Sequence, residues 1–499
     1  MPTLADLKSK WFIAIDGTSP DGVPRTRHST ASALAVCTDG NTVTPLIDGK
    51  NYMGAWHDAI MALHGVADAE VYHTGWRLEG VKTLGESIPA SDALETINNA
   101  DNVGVTFRVL LSYHLPFVIN DLTSTWLLSR GVPTLLDNRY PAPGSNHFKF
   151  AVMKHPGSTV ALLGSVDISK SRWDDSQHFA DNPERNPAFG GKPTHDTGVL
   201  LKGPAVADIE TTFIERWNDP GYNIFPNITS PVSSPAATGT HSVQVLRTFG
   251  VATDLAYTWS PRGEFSVWAS YLNAIKKAEI YIYIEDQYFL PFDWPPAFTK
   301  GGMAAETDII FQLGEAIKRG VRIAVLSPSN AEDIGKGKSK YQRDVGINYL
   351  RRLKAEGAPG ELVVASLKSG TGDIYVHSKL MIVDDELILI GSANIGQRSM
   401  TCDGELQIAV VDENNVLAKQ FRSALWQEHM AASIDLDDPV SAYDLFVSST
   451  AALDGNLKPY PVDAAAIYPG TSESTAPEKG HGGWMREVFD PYAGPAGIR

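Results

Sequence analysis

The stretch His377–Met400, HSKLMIVDDELILIGSANIGQRSM, reads as two short buried strands around a tight turn at Asp384-Asp385. On a strand, residues two apart point to the same face. His377 and Lys379 therefore project together, and so do Ser392 and Asn394 at the end of the return strand. A histidine, a lysine and an asparagine are brought to one spot.

The same pattern occurs earlier in the chain. GSNHFKFAVM (144–153) is followed by VALLGSVDISKSRW (160–173), so His147 and Lys149 stand to Ser165 and Asp167 as His377 and Lys379 stand to Ser392 and Asn394. The spacing is regular: 377 − 147 = 230, 379 − 149 = 230, and 391 − 164 = 227 for the Gly-Ser pairs. Each half also has a segment running into a strand (ADAEVYHTGW, KKAEIYIYIEDQYF) and a helix ending near a tryptophan (VADIETTFIERW, VLAKQFRSALW). Such self-similarity marks a repeat. Ser230–Thr240, SPVSSPAATGT, has the composition of a linker. The expected organisation is therefore 1–229, linker 230–240, 241–454, and a Pro/Gly-rich tail 455–499 lying extended on the surface. Alternating helix and strand, as in the helix around Asp308–Arg319 and the apolar strand Val321–Leu326, predicts α/β layers.

Composition narrows the function. A formal net charge of −16 repels nucleic acid and anionic bilayers at long range, so any phosphate must meet a local cationic pocket. Nucleic acid is an unfavoured partner. Cys37 and Cys402 are too few for a disulfide framework. No apolar run is as long as a membrane span, and the first residues lack the apolar core of a signal peptide. The expectation is a monomer that is cytoplasmic as encoded, or exported without a classical cleaved signal.

Two histidines, two lysines and an asparagine suit cleavage of a phosphodiester. That reaction needs a nucleophile, an acid for the leaving oxygen and donors for the phosphate oxygens. One imidazole can attack phosphorus while the other protonates the alcohol, after which the roles reverse. No cofactor is called for, and no metal-ligand cluster stands out in the spacing. Glu285 and Gln287, ending a strand-like run, either line the pocket or cap the strand; Trp173 either shapes the pocket or packs in the core. FLPFDWPPAF (Phe289–Phe298) either dips Phe292 and Trp294 into a lipid interface or packs under a rigid loop. GKGKSK (Gly335–Lys340) is either a basic lid or a solvated loop.

These motifs resemble those of the phospholipase D superfamily. HSKLMIVDDELILIGSANIGQRSM is similar to its second HxKxxxxD block with the GSxN extension. GSVDISKSRWD, YIEDQYF and GPAVADIETTFIERW are similar to segments of its phospholipase branch. The resemblance implies two similar α/β lobes with the active site at their interface. It implies His147 as nucleophile, His377 as acid and then base, and Lys149, Lys379 and Asn394 as phosphate ligands. Asp196 would orient His377, and Glu405 would orient His147, each from the opposite half. The implied activity is hydrolysis of a glycerophospholipid, at a membrane surface or micelle, to phosphatidic acid and the headgroup alcohol, with possible transfer to another alcohol. A nuclease, or another phosphodiesterase or phosphatidyltransferase on the same scaffold, is the competing reading.

One motif position departs from the pattern. Lys154 stands where the first motif should end in Asp, the sole encouragement for a non-catalytic, phosphate-binding reading. Its counterpart Asp384 belongs to the catalytic motif by resemblance, yet an odd step of five from Lys379 turns it away from the lysine, towards an ion pair or turn cap.

Overall fold

The computed structural model describes residues 2–14, 34–85, 91–113, 119–140, 144–185, 192–219, 223–250, 257–261, 263–291, 308–329, 338–370, 372–432 and 437–466. Phe292, Trp294, Gly335–Gly337 and residues 467–499 lie outside them.

The fold is mixed α/β, and its strands form two similarly ordered sets joined where Thr38–Ile47 pairs antiparallel with His241–Phe249. The first contains β1 (Thr38–Ile47), β2 (Glu70–Gly75), β3 (Thr106–Ser112), β4 (Thr134–Asp137), β5 (Phe150–Lys154), β6 (Val160–Gly164) and, beyond the short β7 (Thr194–His195), β8 (Thr197–Lys202). Their order is β4-β3-β2-β5-β6-β8-β1, with β2, β3 and β4 parallel and the other neighbours antiparallel. The second contains β9 (His241–Phe249), β10 (Glu264–Phe265), β11 (Tyr281–Asp286), β12 (Arg322–Leu326), β13 (Glu361–Ser369), β14 (Gly372–Val376), β15 (Lys379–Val383), β16 (Leu387–Gly391), β17 (Glu405–Val411) and β18 (Leu457–Pro459). Its main order, β13-β12-β11-β15-β16-β17-β9, repeats the senses of the first. The parallel strands are joined through helices, Ala93–Asn102 and Ile119–Leu128 in one sheet, Ile309–Lys318 and Lys338–Ala355 in the other.

Strand period two decides which core each side chain enters. Tyr281, Tyr283, Leu380, Ile382, Ile388 and Ile390 face a central core to which the first sheet contributes Phe150, Val152, Ala161 and Leu163. The alternate residues Ile282, Ile284, Met381 and Val383 enter one outer core, and Ala151, Met153 and Leu162 another. Apolar faces on both sides explain why these strands read as continuous hydrophobic runs.

Asp384 and Asp385 both adopt φ +54° in the turn between β15 and β16. The Asp384 carboxylate accepts the backbone N–H groups of Glu279, Ile280 and Tyr281 at 2.8–2.9 Å, pinning the turn to the start of β11. Placed by resemblance among the catalytic residues, Asp384 stands here as a turn clamp outside the cavity, with Lys10 Nζ 4.0 Å from its carboxylate. Lys154 ends β5 at the corresponding place beside β2, where its ammonium lies 2.9 Å from Glu210 and 3.6 Å from Glu70. The charge is reversed and the clamping position is kept.

Two further segments differ from expectation. The tail is not wholly extended on the surface, since β18 pairs with β13 and Tyr460 is buried against Asp344. The linker-like stretch is tied down, with Ser233 N–H on Glu210 and Thr238 N–H on Gly40.

Candidate active site

His147 and His377 each precede an inward strand edge, β5 and β15, and both line one cavity of 340 Å³. They reach it through two mirrored exchanges between the halves. His147 N–H donates to Gly404 O at 3.0 Å, and His377 N–H donates to His195 O at 2.8 Å. β14, which delivers His377, pairs in parallel with β7.

Each ring is anchored on one nitrogen. His147 Nδ1 lies 2.8 and 3.0 Å from the two oxygens of Glu405, and His377 Nδ1 lies 2.8 Å from Asp196 Oδ1. Each carboxylate comes from the opposite half and is itself fixed by a serine, Ser392 Oγ on Glu405 at 2.5 Å and Ser165 Oγ on Asp196 at 2.6 Å. A carboxylate on Nδ1 selects the tautomer whose lone pair is on Nε2. The glycines before these serines allow the approach. A Cβ on Gly164 would meet Thr197 O at 2.5 Å, and one on Gly391 would meet Leu406 O at 2.2 Å.

Lys149 and Lys379 are buried and do not line the cavity as the two imidazoles do. Lys149 Nζ donates to His147 O at 3.3 Å and pairs with Asp167 at 3.6 Å. Lys379 Nζ donates to Gln287 Oε1 at 2.9 Å and to His377 O. Burial lowers the Lys379 ammonium to about 7, with Lys149 and Arg172 nearby adding to the effect against Asp196 and Asp286. Burial also holds both histidines well below the usual range, with Lys149, Lys379 and Arg398 acting on His147, and Arg172 and the two lysines on His377. A cavity walled by so much positive charge favours an anion, and neutral rings suit nucleophilic attack.

Asn394 and Gln287 line the cavity, and Asn394 Oδ1 is buried without a hydrogen-bond partner. Other expected substrate contacts are turned elsewhere. Ser165 and Ser392 hold the carboxylates rather than facing the cavity. Asp167 does not mirror Asn394, because its carboxylate is drawn to Lys149 and accepts Arg77 N–H at 3.1 Å. Trp173 packs in the outer core of the first sheet and donates Nε1–H to Thr83 O at 3.3 Å. Glu285 is fully buried between His195 and His429, out of the cavity.

The sequence reading missed much of the wall: Trp76, Arg77, Arg172, Lys192, Tyr375 and Arg398. Two of these had a signal. Arg172 and Arg398 follow the paired serines Ser165 and Ser392 by seven and six positions.

Residues 271–428 match the family model described as cardiolipin synthase, PLD-like domain. Phospholipase D alpha 1 of Zea mays is 25% identical over 91% of this chain and 76% of its own. Phospholipase D alpha 1 of Carica papaya is 25% identical over 86% of this chain and 71% of its own. Phospholipase D alpha 4 of Arabidopsis thaliana is 26% identical over 80% and 66%. Among solved structures, a phosphatidylserine synthase of Haemophilus influenzae Rd KW20 superposes with TM-score 0.53 at 13% identity, covering 82% of this chain and 93% of that one, a likeness of fold.

Proposed function

The chain belongs to the phospholipase D superfamily, and from that premise we propose that it cleaves the distal phosphodiester bond of a glycerophospholipid. The observation that carries the reading is one cavity lined by two imidazoles, each tied through Nδ1 to a carboxylate of the other half.

The reaction runs in two displacements. The phosphate enters against Lys149, Lys379 and Asn394, with Arg172 and Arg398 compensating its charge. His147 Nε2 attacks phosphorus, and the P–O bond to the headgroup breaks as His377 Nε2–H protonates the departing alcohol. The lipid phosphate is then held on His147. A water molecule gives its proton to His377 and attacks the same phosphorus, releasing phosphatidic acid and restoring both rings. An added alcohol in place of water gives the transferred phosphodiester. A phosphate anion between the rings offsets the cations that lower their basicity, which supplies the protonated ring the first step requires.

The lipid substrate rests on the relatives named phospholipase D and on the net charge of −16, which disfavours a polyanionic nucleic acid. Mass spectrometry of products from mixed phospholipid vesicles, with and without ethanol, tests it. Phosphatidic acid without ethanol and phosphatidylethanol with it are expected. Cleavage of a single-stranded oligonucleotide with no lipid turnover would overturn the reading.

A further inference from the structure

His195, one residue before Asp196, enters a second buried cluster that the phosphodiester chemistry does not use. Its Nδ1 lies 3.0 Å from Asp48 Oδ1 and 3.4 Å from Glu428 Oε1. Opposite it, His178 Nε2 lies 3.7 Å from Asp48 Oδ2 and 3.6 Å from Glu428 Oε1. One ligand atom from each of the four residues can be chosen so that all lie within 4.8 Å of one another. Asp48 Oδ2, His178 Nε2 and Glu428 Oε1 are buried and take no hydrogen bond. A tetrahedral ion with bonds of about 2.0–2.2 Å sets its ligand atoms roughly 3.3–3.6 Å apart, close to the 3.7 and 3.6 Å from His178 Nε2 to Asp48 Oδ2 and Glu428 Oε1 and the 3.4 Å from His195 Nδ1 to Glu428 Oε1.

The surrounding groups fix both imidazoles from behind. His178 Nδ1 is held by Asp174 at 3.0 Å, and Asp174 in turn by Arg185. His195 Nε2 is held by Glu285 at 3.0 Å, and Glu285 by His429 at 3.1 Å and Tyr283 at 2.6 Å. A carboxylate on the far nitrogen fixes the orientation of a metal-ligating imidazole. Four carboxylates here share one guanidinium and three imidazoles, so a cation or ring protons must balance their charge. Asp48 and His178 both have left-handed backbones, φ +64° and +49°, a cost that collects at ligand clamps. Glu428, the partly exposed member, gives an ion its way in.

We infer that Asp48, His178, His195 and Glu428 form a tetrahedral site for a divalent cation, zinc by its donor set of two imidazoles and two carboxylates. The ion staples the first half to the helix Val416–Met430, which carries Glu428. It fixes the segment whose His195 carbonyl receives His377 N–H, and so steadies the position of one catalytic ring. The ligands span positions 48 to 428, so no local spacing could announce them.

Elemental analysis of the full chain, purified without chelator and desalted after zinc addition, should find about one zinc per chain. His178→Ala and Glu428→Ala should retain less than about a tenth of that. X-ray absorption on the zinc form should give nitrogen and oxygen neighbours at about 2.0 Å without sulfur. Dipicolinate should lower the melting temperature, and zinc should restore it. Wild-type protein that retains no zinc and melts alike with and without chelator would show a cluster held by protons alone, and overturn the site. Variants that keep a full equivalent would place the ion elsewhere and also overturn it. Should the variants fail to fold, wild-type metal content and absorption spectrum decide.

Discussion

Glu405, at the start of β17, places both carboxylate oxygens within 3.0 Å of His147 Nδ1, across 258 positions of sequence. The bond keeps the Nδ1 proton on the carboxylate side and aims Nε2 at the cavity. Ser392 holds the same carboxylate, so ring, acid and hydroxyl form one positioned line.

Glu405→Gln should keep the fold and lose catalysis. A neutral amide neither selects the tautomer nor steadies a charged ring, and breaking a comparable pairing elsewhere costs roughly 10²–10⁴ in kcat. Steady-state kinetics should show the loss in kcat with KM nearly unchanged. A selective rise in KM would assign Glu405 to binding instead.

Lys154→Asp, which restores the family motif, should weaken the protein without improving it. The substitution removes the cation between Glu70 and Glu210 and adds a third carboxylate there. Leaving buried Glu210 without its cation costs roughly 1–3 kcal/mol, since Lys154 and Glu70 are partly exposed. Urea denaturation should show that loss, with kcat no higher than wild type. A gain in activity at unchanged stability would mean that the reversed charge impairs the site.

Lys379 sets an alkaline limit. Its ammonium, lowered to about 7 by burial, is the form that holds phosphate and is lost as pH rises through that value. The plot of kcat/KM against pH, which reports the free enzyme, should therefore fall above about pH 7. Lys379→Arg keeps its charge to much higher pH, so its profile should lose the steepening near pH 7 and retain only the fall from the His377 proton, which burial and the neighbouring cations place at lower pH. An identical fall in both proteins would assign the limb to another group.

Most of the framework was legible because β5, β6, β15 and β16 carry unbroken apolar runs, whereas His147, Lys149 and His377 lie just before β5 and β15, and of the four motif residues the two imidazoles line the cavity. What escaped depends on contacts that no period encodes. Asp167 and Asn394 hold equivalent positions, yet one is a carboxylate captured by a lysine and the other an amide facing the cavity. Glu285 and Gln287 are two apart on one run, and only Gln287 reaches the cavity. Trp173 is absorbed by the core, where its large apolar surface is worth most. Arg172 and Arg398 were visible only after pairing the two halves beyond the serines.

Acid-labile, alkali-stable lipid phosphate trapped on His147 tests the two-ring mechanism most directly. Rapid quenching during turnover, followed by mass spectrometry at alkaline pH, should find the adduct on the peptide containing His147. His377→Asn should form little adduct from a natural headgroup, which needs the acid, and accumulate it only from a p-nitrophenyl ester, whose leaving group needs none. Full turnover by His147→Ala, with no adduct on either histidine in the wild type, would contradict the account.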